Sequence, residues 1–115
     1  MKRNMDTIRS LLLWMEEQDT DAFMFQFLPD MPDHESTMAH AQMLISGGFI
    51  EVSNRHTLRI SWAGHEFLDK VRDPEIWRKT KEGASRVGSW SVKFLGELAA
   101  GLIKAKAIEL GLPLA

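Results

Sequence analysis

Cysteine is absent from the whole 115-residue chain, which excludes a disulfide framework and any thiolate metal site, so stability has to come from packing. Long apolar runs are missing as well. The N-terminal one, Leu11 to Met15, is far shorter than a signal-peptide core requires. The C-terminal stretch from Val92 to Leu112 is broken by Lys93, Glu97, Lys104, Lys106 and Glu109 too often for a bilayer span. There is no phosphate-cradling glycine loop, dinucleotide fingerprint or nucleophile-base pair, and Asp19, Asp21 and Asp30 lack the glycine and closing glutamate of a calcium loop. These absences imply a cytoplasmic protein that is not membrane-bound, not an enzyme, and needs no cofactor or metal.

What is present is enough hydrophobic residue, 44%, for a real core at this length, and a charge balance of −2 that conceals a strong asymmetry. Through residue 54, three basic residues face nine acidic ones; beyond it, eleven basic residues face seven acidic ones. A phosphate-facing surface would therefore draw on Arg55, Arg59, Lys70, Arg72, Arg78, Lys79, Lys81 and Arg86.

Met5 to Gln18 reads as a first helix: Met5, Ile8, Leu12 and Met15 recur on one face, Leu11 widens it, and Asn4 or Asp6 can cap it. Trp14 falls off that face and is a candidate partner contact. After a turn at Asp19 to Asp21, the aromatic run Ala22 to Leu28 reads as a short strand ended by Pro29, with Phe23, Phe25 and Phe27 on one side, a helical turn over the same residues being the alternative. Asp33 can cap a second helix over His34 to Ser46, burying Thr37, Met38, Ala41, Leu44 and Ile45. Its expected exposed face carries Glu35, His40, Gln42 and Met43. This helix has no lysine or arginine, which counts against strong duplex binding.

Gly47 and Gly48 stop the helix, and Phe49 to Ser53 with His56 to Ser61 alternate as a hairpin around Asn54 and Arg55. Ser61 then caps a third helix to about Arg72, Asp73 and Pro74 end it, and Glu75 to Arg86 forms a basic helix anchored by Ile76 and Trp77. A last helix, Ser91 to Leu110, sets Phe94, Leu98, Leu102 and Ala105 on one face beside the small residues Gly96, Ala99, Ala100 and Gly101. It either packs on the first helix or pairs in a homodimer through Phe94, Leu98 and Leu102. The seven methionines fall within these stripes as core filler. The implied architecture is α+β and mostly α: a winged helix-turn-helix over residues 1–88 with a two- or three-stranded antiparallel sheet, and an additional C-terminal helix over 89–115.

The opening MKRNMDTIR, the passage from His40 through Leu44 to Gly48, Phe49 and Ile50, and above all ISWAGHEFLDKVRDPEIW from Ile60 to Trp77, resemble the bacterial and prophage-associated domain of unknown function 2513 family. The specific part is Trp62, Gly64, His65, Glu66, Phe67, Leu68 and Asp69. Departures are Ala41 where a larger aliphatic is usual, Gly47 where alanine is commoner, and Ile60-Ser61 in place of Leu-Thr. The resemblance implies a small winged-helix-like protein, often carried by phages, with no catalytic residues to transfer.

Two functions are consistent with this pattern. In the first, a DNA-binding transcriptional regulator, Arg55, His56 and Arg59 of the wing and Arg78, Lys79 and Lys81 of the basic helix hold phosphate while His40 and Gln42 meet the groove. In the second, a phage-type modulator of a host or defence complex, Trp14, Glu35 and Met43 contact a host protein. His65 and Asp69 share a helical face as a partial zinc-ligand pair, but a third ligand would have to come from His34, His40 or His56, and a structural role is expected instead.

Overall fold

The computed structural model describes residues 2–18, 23–53 and 57–113. The chain is α+β and mostly helical, and it divides into two compact units, Met1–Leu68 and Asp69–Ala115. The basic helix thus groups with the C-terminal helix, whereas the sequence reading had placed it with the winged-helix part.

The first unit opens with α1, Met5–Glu17, whose cap is Asn4: the side chain accepts from the backbone N–H groups of Asp6 and Thr7. Met5, Ile8, Leu11, Leu12 and Met15 are buried, as their spacing implied. The strand expected over Ala22 to Leu28 is shorter. Only Phe23–Met24 forms β1, and Phe25–Phe27 winds into a 3-10 turn that leaves Phe27 65% exposed and buries Leu28. The physical reason is local: the turn closes through Leu28 N–H to the Phe25 carbonyl, just before Pro29, which has no N–H to continue a ladder.

Asp33 caps α2, His34–Ser46, by accepting from the Ser36 N–H at 2.8 Å. The fully buried Thr37 locks the preceding loop onto this cap: its hydroxyl donates to the Asp33 carbonyl at 3.0 Å and accepts the Met31 N–H at 2.7 Å. The helix ends at Gly47 and Gly48, and Gly48 takes φ +83°, a conformation other residues reach only with strain. Two strands follow, β2 at Ile50–Val52 and β3 at Thr57–Ile60. The antiparallel sheet has the order β1-β3-β2, with Leu58 of the central strand opposite Phe23 on one side and Val52 on the other. Asn54, Arg55 and His56, expected at the hairpin tip, lie outside the described residues.

Ser61 joins the hairpin to α3, Trp62–Val71. Its hydroxyl donates to the Gly48 carbonyl and accepts the Gly64 N–H at 3.0 Å, so one side chain ties the end of α2 to the start of α3. Replacing Ser61 with alanine leaves both groups unpaired at a largely buried position. It should lower the unfolding free energy by about 1–2 kcal/mol, read as a shifted urea midpoint at unchanged slope. Phe67 of α3 is buried and its ring lies 5.6 Å from that of Phe49.

In the second unit Asp73 caps α4, Pro74–Val87, with Pro74 in the first turn where its missing N–H has no cost. Gly88, at φ +80°, closes α4 with its N–H on the Ala84 carbonyl, and Ser91 caps α5, Val92–Glu109. The two helices pack together: Leu98 Cδ1 stands 3.2 Å from the position a Cβ on Gly83 would take. The buried face of α5 is Leu95, Gly96 and Ala99. This corrects the expected stripe, because Phe94, Leu98 and Leu102 are only half-buried at its flank. The small residues divide between the two sides of the helix: Gly96 and Ala99 are buried, whereas Ala100 and Gly101 are exposed.

Candidate functional site

The helix α2 and the hairpin behind it were expected to form the docking surface, and the structure redistributes the residues proposed for it. His40 is the main correction. Expected on the exposed face against a DNA groove, it is buried at 2% exposure, with Nδ1 2.8 Å from the Ser36 carbonyl and Nε2 3.0 Å from the Asn4 backbone N. A carbonyl opposite Nδ1 requires the proton there, and the Nε2 lone pair then accepts the Asn4 N–H. Both ring nitrogens are committed inside the protein, so His40 fastens the cap of α1 to α2 and cannot reach a groove.

The signal for this was available. The buried set Thr37, His40, Ala41 and Leu44 has the i, i+3, i+4, i+7 spacing of one helical face, whereas Met38 and Ile45 are half-buried. The outward stripe of α2 is consequently Glu35, Gln42 and Ser46, all exposed, with half-exposed Met38 and Ala39 between them. Met43 is half-buried off to one side, and Trp14 of α1 is half-buried too.

On the sheet, Arg59 and Glu51 face each other across β3 and β2, and Arg59 Nε donates to Glu51 Oε2 at 3.0 Å. The hairpin cation among the described residues is therefore already met by a carboxylate. The sequence reading also missed Trp62. This side chain occupies the first turn of α3 with 79% of its surface exposed, the highest value among the large hydrophobic residues described. Its position directly after a capping serine, ahead of the inward-facing Phe67, is the signal that it points away from the core.

The basic residues proposed on α4 are likewise engaged locally. Arg78 Nη1 donates to Glu82 Oε2 at 3.1 Å, Lys79 Nζ lies 3.5 Å from Glu75 Oε1, and Lys81 Nζ sits 5.8 Å from the centre of the Trp77 ring. The two ion pairs are exposed and worth little to stability, but Glu82 and Glu75 offset part of the positive charge a phosphate would meet. A hollow between the start of α4 and the end of α5, lined by Asp73, Ile76, Lys79, Leu102 and Lys106, carries the Lys106–Asp73 pair at 3.8 Å. Asp69 of the partial zinc pair accepts from Arg72 at 2.7 Å, and among the described residues no three His, Asp or Glu side chains converge as a ligand set.

The elements and their sheet define a small, mostly helical α+β protein, and no helix of the described residues is long and apolar enough to cross a membrane. The chain belongs to the family described as "Hypothetical protein (DUF2513)", whose model matches residues 2–90. It is 37% identical to an uncharacterized protein of Haemophilus influenzae, over 70% of this chain and 76% of the relative. No solved structure matches it.

Proposed function

We propose that this chain is a non-enzymatic, winged-helix-like binding protein whose first unit docks a protein partner. The order of helix, strand, helix and hairpin, with β3 central in the sheet, supports the winged-helix reading, the usual second helix being reduced to the 3-10 turn at Phe25–Phe27. The observation that carries the choice of partner is electrostatic. Met1–Leu68 holds five basic residues against ten acidic ones, the outward stripe of α2 offers Glu35 and no cation, and Arg59 is paired with Glu51. A duplex surface would be repelled by such a face, whereas a protein with basic residues around an apolar centre would be drawn to it. Exposed Trp62 and Phe27 supply the large apolar surface that such contacts use.

A tagged pull-down that recovers both protein and nucleic acid tests this. A stoichiometric protein should be retained by the wild type and lost on Glu35→Lys or Trp62→Ala, with no duplex DNA retained even at about 50 mM salt. Recovery of DNA in a salt-sensitive manner, abolished by Arg59→Ala, would replace the protein reading with the regulator reading.

A further inference from the structure

The face of α5 opposite its packing on α4 is exposed and carries a self-complementary order of charges. Taking Leu95 and Ala99 as the centre of the buried side, the helical repeat places Lys93, Glu97, Ala100, Gly101, Lys104 and Ile108 on the far side, and all six are exposed. The charges there behave differently from those of α4. On α4, Arg78, Lys79 and Lys81 each engage a neighbour. The side chains of Lys93, Glu97 and Lys104 make no ion pair or hydrogen bond among the described residues.

We propose that two copies of this chain associate through α5 as an antiparallel, two-fold symmetric helix pair. The charge order selects both the partner and the direction. A two-fold axis passing between Ala100 and Gly101 brings Glu97 of each copy opposite Lys104 of the other, forming two identical ion pairs. The same axis sets Ala100 against Gly101, where a Cβ on Gly101 would meet nothing within 4 Å, so the helices can approach closely at the crossing. It also lays the aliphatic stem of Lys93 across Ile108, whose 62% exposure it would reduce. A parallel pairing would oppose Glu97 to Glu97 and Lys104 to Lys104, and is disfavoured. The dimer is independent of the partner assigned to the first unit, because it uses only α5.

Sedimentation equilibrium of the full chain tests the pairing by charge exchange. Wild type is expected to dimerise, with Glu97→Lys and Lys104→Glu each weakening association at least about tenfold through like-charge opposition at two symmetric sites. Mixing the two single variants should restore association as a one-to-one heterodimer, since every opposed pair is then again Lys with Glu. The double variant Glu97→Lys/Lys104→Glu should dimerise about as well as the wild type. Because the mixture recovers function from two chains that are each weak alone, misfolding cannot imitate the result. A wild type that stays monomeric at about millimolar concentration overturns the proposal. So does a mixture that remains monomeric, or a pair of single variants that associate undiminished.

Discussion

Replacing Gly64 with alanine is expected to lower the unfolding free energy by about 3 kcal/mol, near the upper end of overpacking penalties, and to reduce the yield of folded protein. A Cβ at this position would overlap the Phe49 carbonyl oxygen and stand 2.7 Å from Ile60 Cγ2. Neither neighbour can give way cheaply. The Phe49 carbonyl is held at 3.0 Å by the Ser61 N–H, and Gly64's own N–H is bound to the Ser61 hydroxyl. Alanine would otherwise favour the helix by up to about 1 kcal/mol, so the sign of the measured change is itself diagnostic. A urea midpoint equal to or above that of the wild type would show that the first turn of α3 does not lie on the end of β2.

The second large effect is expected at His40. Truncation to alanine removes an enclosed ring, leaves the Ser36 carbonyl short of a donor, and deprives the Asn4 N–H of its acceptor. Together these should cost about 2–4 kcal/mol, lowering the melting temperature by roughly 10–20 °C for a chain of this size. Glutamine places an amide oxygen near the position of Nε2, so His40→Gln should recover part of the loss. If His40→Ala instead melts with the wild type while losing partner binding, the imidazole belongs to a recognition surface after all.

Much of the architecture was legible because the signals were local. Asn4, Asp33 and Ser61 announce helix starts through side chains that satisfy N–H groups two or three residues on, and Gly48 announces an end through the left-handed backbone it adopts. What was not legible depended on distant partners. His40 looked like surface because its residue type is polar, and its acceptor role is fulfilled by Asn4, 36 residues away. The cations of α4 looked free until their rotamers brought Glu75 and Glu82 beside them. On α5 the large side chains suggested a stripe of Phe94, Leu98 and Leu102, whereas the buried positions are Leu95, Gly96 and Ala99, and the glycine that admits Leu98 belongs to α4 at Gly83.

The fully enclosed Leu58 sits mid-strand in β3, hydrogen-bonded territory on both flanks, with Arg59 next to it on the opposite face. Sliding that strand by a single position would drive a guanidinium into the interior and strand a leucine in water, a trade no nearby contact could offset. The hairpin therefore has one admissible alignment, and the brief N-terminal strand inherits it: Phe23 and Met24 can add to the sheet only where that alignment already presents an open edge.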